Sequence, residues 1–142
     1  MRGWLFDTSV LSAFAPRRPS LSAEAAGWFA QRNDQLFISA IAITEIDAGI
    51  AKLARGGSLG RAEELRDWFD AILDQYADRV LSFDFAAARI AGELSDAAEA
   101  IGRHPGFADV ATASIAISHE LVVLTANRRH FEPLGVETLN PL

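Results

Sequence analysis

Short apolar runs without polar alternation recur along the chain, and five of them are predicted to be β-strands. These runs cover residues 3–6, 36–39, 79–83, 121–125 and 136–139. Strands of this kind are typical of parallel sheets that are covered on both faces.

Segments with apolar residues at helical spacing lie between these strands. Helices are predicted over residues 8–15, from Ser20 or Ser22 to about 32, and over 41–54, 58–76, 84–101 and 107–119. Pro16 and Gly56-Gly57 end two of them, while Ser58 and Asp84 are candidate caps. Strands separated by one or two helices predict an α/β fold, with three α/β/α layers around a central, mainly parallel sheet.

Polar residues follow several of the predicted strands where each strand ends, which is where sites form in open α/β sheets. Asp7 ends the first run and is followed by the hydroxyl residues Thr8 and Ser9. Thr125 and Asn127 follow the strand at 121–125. Each has a structural alternative, because Asp7 can cap a helix and Asn127 can satisfy its own turn.

Two further carboxylates lie in apolar helices. Glu45 is surrounded in sequence by Ile41, Ile43 and Ile46, so it either needs a partner or is a partly exposed surface charge. Asp109 lies in the first turn of the helix at 107–119, where it either favours the helix dipole or faces a site.

Asp7, Glu45, Asp109 and Asn127 together supply carboxylate and amide oxygens that can converge on one crevice. Mg²⁺ and Mn²⁺ prefer such ligands. A metal-activated water can hydrolyse a phosphodiester without a nucleophilic side chain. The residues therefore favour metal-dependent phosphodiester hydrolysis.

Composition limits the class of protein. A length of 142 residues with 50% hydrophobic content is typical of one domain, so residues 1–142 are interpreted as a single domain. The absence of cysteine excludes disulfides and thiolate metal sites. No apolar run approaches the length of a membrane span, and we expect no membrane association and a cytoplasmic location.

The net charge of −6 argues against broad electrostatic adhesion to nucleic acid. Bound divalent cations can neutralise a carboxylate cluster and leave nearby arginines to contact phosphates. Charge alone therefore does not exclude a nuclease.

The chain resembles the PIN domain over essentially its whole length, and in particular the VapC-like toxins of toxin–antitoxin (VapBC) pairs. The resemblance rests on residues 5–11, on Ser39 with 44–46 and 49–50, on Asp109 with 111–117, and on 122–127, 130–131, Gly135 and 140–141. It implies an α/β/α PIN fold, Mg²⁺- or Mn²⁺-dependent cleavage of an RNA substrate, and inhibition by a cognate VapB-like antitoxin.

The resemblance also assigns roles. Asp7, Glu45 and Asp109 match the three principal acidic positions of the family, and Ser9 and Thr125 match hydroxyl positions near the metal. Many members have an Asp where this chain has Asn127, which puts a firmly bound second metal in doubt.

Basic residues follow Asn127 directly. Arg128, Arg129 and His130 are either possible RNA-binding residues or a solvated basic turn. His104 and His119 have no evident partner and are interpreted as structural or exposed.

Other phosphoryl-transfer folds fit less well. A haloacid-dehalogenase-like phosphatase needs a second Asp two residues after the first, where this chain has Ser9. A receiver-like domain needs a late lysine, but Lys52 is the only lysine. The main alternative is a catalytically weak or inactive PIN-like protein-interaction module, which Asn127 favours.

A binding surface is expected on the helical hairpin at 41–76. Its aromatic stripe, Trp68, Phe69, Ile72 and Tyr76, carries more apolar bulk than a solvent-facing hairpin needs. By the resemblance, this region helps to form the groove for an antitoxin, and a homodimer within a hetero-oligomer is expected.

Overall fold

A five-stranded parallel sheet organises the protein, which is described here from a computed structural model of residues 2–142. Its strands are β1 (Trp4–Phe6), β2 (Leu36–Ser39), β3 (Val80–Leu81), β4 (Val122–Leu124) and β5 (Thr138–Leu139). Their order in the sheet is β3-β2-β1-β4-β5, and every neighbouring pair is parallel. The predicted α/β class and the central parallel sheet are confirmed.

Seven α-helices connect the strands within residues 2–142. They are α1 (Thr8–Leu11), α2 (Ala23–Gln31), α3 (Ala40–Arg55), α4 (Leu59–Gln75), α5 (Phe85–Ala100), α6 (Phe107–Ser118) and α7 (Arg128–Phe131). Within that range, none of the helices has both the length and the hydropathy needed to cross a bilayer.

The alternation of side chains along β1 divides the core into two clusters. Phe6 belongs to the cluster that packs with α1 to α4 and includes Phe29, Ile50 and Phe69. Leu5 belongs to the cluster of α5 to α7, with Val110 as a further member. Helices therefore cover both faces of the sheet, as three α/β/α layers require.

The register brings distant polar residues to one edge. Phe6 of β1 is paired with Ile38 of β2 and with Leu124 of β4. The next residues along the three strands are therefore Asp7, Ser39 and Thr125, at the carboxyl ends of neighbouring strands. This row is the base of the candidate site.

Some predicted boundaries were wrong. The helix expected at 8–15 is a short α-helix, α1, followed by a 3₁₀ turn at Ser12–Phe14. The strands expected at 79–83 and 136–139 are shorter and cover only Val80–Leu81 and Thr138–Leu139. Ser58 precedes α4 without a side-chain capping bond, whereas Ser22 and Asp84 cap α2 and α5 as predicted.

Candidate active site

Asp7 lies between the end of β1 and the start of α1. Its backbone carbonyl accepts from the N–H groups of Val10 and Leu11, so the residue does begin the helix. The side chain, however, makes no capping bond, and the interpretation of Asp7 as a side-chain cap was wrong. Asp7 is only 8% exposed, and its carboxylate accepts hydrogen bonds from other side chains.

Two hydroxyl groups hold the Asp7 carboxylate. Ser9 Oγ and Thr125 Oγ1 each lie 2.8 Å from Asp7 Oδ2, and they lie 3.3 Å from each other. The backbone N–H groups of Ala126 and Asn127 donate to Ser9 Oγ and Thr125 Oγ1 at 3.0 and 2.9 Å. Because each hydroxyl oxygen already accepts a backbone N–H, its proton is directed to the carboxylate. The two hydroxyl groups therefore hold the Asp7 carboxylate in one orientation, as a metal ligand or catalytic carboxylate requires.

Glu45 lies near the start of α3. Ser39 Oγ caps this helix by accepting from the N–H groups of Ile41 and Ala42 at 3.0 and 3.2 Å. Glu45 is exposed, and its Oε1 accepts from Thr8 Oγ1 at 2.6 Å. Thr8 thus ties α1 to α3. The sequence offered no signal for this contact beyond the position of Thr8 next to Asp7.

Asp109 is half-buried in the first turn of α6, and the residues that follow it are buried through Ala116. Burial raises the pKa of the Asp109 carboxyl above its ordinary value, and the negative charges of Asp7 and Glu45 raise it further. His130 acts in the opposite direction, with its Nδ1 3.6 Å from Asp109 Oδ2. Asp7 and Glu45 therefore lie close enough to Asp109 for their negative charges to disfavour its ionised form.

The polar residues that follow β4 have different surroundings. Asn127 is exposed at the start of α7, and its side chain makes no capping bond. Arg128 turns to β5, where its Nε donates to Thr138 Oγ1 at 3.2 Å. Arg129 and His130 line a cavity together with Asp109.

The donor set fits a hard divalent cation. Its groups are carboxylate, amide and hydroxyl oxygens, and a cation would offset the burial and the neighbouring negative charges that raise the pKa of Asp109. Within residues 2–142, no three His, Asp or Glu side chains are already arranged as ligands of one ion. Metal binding would therefore require the side chains to adjust on a backbone that already brings them near.

Comparison with known proteins places the chain in a family. The model of the PIN domain matches residues 4–135. The plasmid stability protein StbB of Pseudomonas syringae pv. tomato is 34% identical over 139 residues, with 96% of each chain covered. The VapC ribonuclease Y4jK of Sinorhizobium fredii is 31% identical over 139 residues, again with 96% of each chain covered. The chain therefore belongs to the PIN domain family.

A third relative is named a toxin. Toxin FitB of Neisseria gonorrhoeae is 30% identical over 138 residues, with 96% of each chain covered. The crystal structure of FitAcB from the same organism superposes with a TM-score of 0.84 at 28% identity, covering 97% of both chains. The expected resemblance to PIN-domain toxins is confirmed, and with it a nuclease class of protein.

Proposed function

We propose that this protein is a divalent-metal-dependent ribonuclease that acts as the toxin of a toxin–antitoxin pair. The observation that carries the proposal is the placement of Asp7, Glu45 and Asp109 at the carboxyl edge of the sheet, where the first two are close enough for their charges to raise the pKa of Asp109. The relatives named a VapC ribonuclease and a toxin support it. RNA is the proposed substrate.

Mg²⁺ or Mn²⁺ is the proposed cofactor, held by Asp7, Glu45 and Asp109 with Asn127 as a weaker, uncharged ligand. When bound, such an ion supplies an activated water and neutralises charge on the phosphodiester. Ser9 and Thr125 keep the Asp7 carboxylate in one orientation, and Thr8 does the same for Glu45. These hydrogen bonds restrain two of the three carboxylates before the substrate binds.

Cleavage of a mixed tRNA, rRNA and mRNA panel tests the proposal. The purified chain should cut RNA with Mg²⁺ or Mn²⁺ and should not cut it with EDTA. Absence of cleavage in every metal, by protein that is folded and free of antitoxin, would favour the catalytically inactive interaction module instead.

Thr125→Val should impair both stability and cleavage. The substitution keeps the shape of a buried side chain but removes the hydroxyl that joins Asp7 to the N–H of Asn127. We expect a loss of about 1–3 kcal/mol in the free energy of unfolding, because buried groups lose their partner. Cleavage should fall by about 10–100-fold, as for other groups that orient metal ligands. Urea unfolding and cleavage rates measure the two effects.

Thr125→Ser is the matched control, since it retains the hydroxyl and loses only a methyl group. It should keep most of the cleavage rate. Equal rates for Thr125→Val and the wild type would show that the hydroxyl does not position Asp7.

An antitoxin is the proposed protein partner, and the α3–α4 hairpin offers a groove for it. A cavity of about 240 Å³ runs beside Glu45 and Thr8, with Ile50, Leu65 and Trp68 among its walls. An apolar helix or tail of an antitoxin could fill this groove and reach the acidic site.

The aromatic stripe expected on this hairpin was partly wrong as a surface. Phe69 and Tyr76 are buried at 1% and 6% exposure and pack in the core, because the stripe faces the sheet. Trp68 and Ile72 are only half-buried. Of the four residues, Trp68 alone lines the groove beside Glu45.

Trp68→Ala should weaken antitoxin binding by at least about 10-fold, because truncating an aromatic anchor commonly costs more than 1 kcal/mol. Affinity for the small protein encoded by the neighbouring gene, measured by calorimetry, tests this expectation. Phe85→Ala is the control, since Phe85 is 79% exposed on α5 and is not part of the groove. Equal affinities for Trp68→Ala and the wild type would place the antitoxin elsewhere. A homodimer within the complex stays a prediction, which the mass of the complex in solution would test.

A further inference from the structure

A cavity of about 390 Å³ adjoins the acidic site and has the opposite charge character. Arg103 and His104 contribute one wall, Arg129 and His130 another, and Asp109 lies at the boundary with the carboxylates. The chain as a whole carries a net charge of −6, so this local gathering of basic groups runs against its composition. Such a concentration favours an anionic ligand.

The two arginines of this basic pocket are available to a ligand. Within residues 2–142, neither Arg103 nor Arg129 forms an ion pair or donates a side-chain hydrogen bond. Some arginines elsewhere are engaged, as Arg2 is with Glu137 at 2.9 Å and Arg61 with Glu64 at 2.7 Å. The guanidinium groups of the pocket can therefore bind without first giving up a protein partner.

The walls of the basic pocket are stiffened by proline. Pro105 fixes its own φ and restricts His104 before it to extended conformations. Pro133 lies on the side that carries Arg129 and His130. Because the backbone on both sides is restrained, less conformational entropy is lost when the pocket orders a ligand.

We propose that the basic pocket holds a backbone phosphate of the RNA strand, that of a nucleotide next to the one cut at Asp7, Glu45 and Asp109. This inference rests on the proposed ribonuclease function and adds the groups that position its substrate. Guanidinium groups bind phosphate oxygens through paired, charge-assisted hydrogen bonds. Arg103 and Arg129 are thus the positioning residues that let an acidic protein hold a polyanion with its reacting bond over the carboxylates.

Binding and kinetics test the proposal separately. Binding is measured by fluorescence anisotropy with a labelled single-stranded RNA oligonucleotide and Asp7→Asn protein in EDTA, at several salt concentrations. Arg103→Ala and Arg129→Ala, each added to Asp7→Asn, should weaken binding and lower the slope of log Kd against log salt by about 0.7 per lost phosphate contact. In otherwise wild-type protein with metal, the same changes should raise KM several-fold and leave kcat within about twofold, as expected when uniform substrate binding is lost.

Arg66→Ala is the matched control, because Arg66 is an exposed arginine of α4 outside the basic pocket. It should change neither the salt slope nor KM. If either alanine variant fails to fold, Arg103→Gln and Arg129→Gln retain the length of the side chain without its charge, and the same shifts are expected.

The outcomes separate this inference from the ribonuclease proposal. Cleavage by the wild type with unchanged salt slopes and KM in the arginine variants would overturn the basic pocket and leave the ribonuclease intact. Altered salt slopes without any wild-type cleavage would uphold the pocket as an RNA site and overturn the enzyme. Variants that lose antitoxin affinity but keep RNA affinity would assign the pocket to the protein partner and overturn the inference.

Discussion

Asp7→Asn is expected to lower metal-dependent RNA cleavage by more than about 100-fold, which exceeds the usual cost of removing a group that only orients a metal ligand. The amide has the size of the carboxylate, and its oxygen can still accept from Ser9 and Thr125. What is lost is the negative charge at the centre of the hydroxyl pair, and with it a strong oxygen donor for a cation. The prediction therefore isolates charge from packing.

Initial cleavage rates at saturating Mg²⁺ and Mn²⁺ measure this effect, with the thermal midpoint recorded for each protein. Asp47→Asn is the control, because Asp47 is an exposed carboxylate on the same α3 helix as Glu45. It should cut RNA at the wild-type rate. A folded Asp7→Asn protein that is as active as Asp47→Asn would remove Asp7 from the catalytic machinery.

Much of the fold could be predicted because its signals are local. The apolar runs at Trp4–Phe6, Leu36–Ser39 and Val122–Leu124 are β-strands, and the helices between them follow the 3.6-residue spacing. The helix expected at 8–15 failed for a local reason as well. Ala15 precedes Pro16 and has extended backbone angles, φ −65° and ψ 151°, because a residue before proline is disfavoured in the α region.

The sequence predicted at which edge of the sheet the site lies, but not how its side chains are arranged. Asp7 and Thr125 are 118 residues apart, yet the rule for parallel sheets placed both at one edge. The rule does not say which way a side chain points, so it could not decide whether Asp7 is a helix cap or a site residue. The hydroxyl bonds that decide the matter arise from tertiary packing.

The surroundings of individual side chains could not be predicted from spacing along the chain. His104 is exposed, in agreement with the interpretation of it as structural or exposed, and it lies with Arg103 on the wall of a cavity beside Asp109. Phe69 and Tyr76 were expected on a binding surface, yet they pack in the core. Helical spacing shows which residues share a face, but it does not show whether that face meets the sheet or a partner.

Asp109→Asn should abolish cleavage and at the same time make the metal-free protein more stable. Burial and the charges of Asp7 and Glu45 raise the pKa of Asp109 in the folded state above its ordinary value of 3.8. The folded protein therefore binds a proton that the unfolded chain has released, and stability falls as pH rises from 3.8 through the raised pKa. Above that window the full cost of the charge is present. Asparagine carries no such charge, so its advantage should grow over the window and persist at neutral pH.

Thermal unfolding in EDTA at pH 3.5 and at pH 7.5 measures this difference. The midpoint of Asp109→Asn should match the wild type at the lower pH and exceed it at the higher. Asp47→Asn, which removes an exposed charge, should show no comparable gain at pH 7.5.

Added Mg²⁺ should stabilise the wild type more than Asp109→Asn. A ligand that binds only the folded state raises its stability by mass action, and the wild type retains the carboxylate that Asp109→Asn lacks. Mg²⁺ should therefore raise the Tm of the wild type more than that of the variant. A variant that is no more stable than the wild type in EDTA would mean that burial and the neighbouring carboxylates do not disfavour the Asp109 charge in solution. A variant that gains as much from Mg²⁺ as the wild type would mean that Asp109 does not contact the ion. Both results as expected would show that the Asp109 charge, disfavoured by burial and by its carboxylate neighbours, destabilises the metal-free protein and contributes to its cation site.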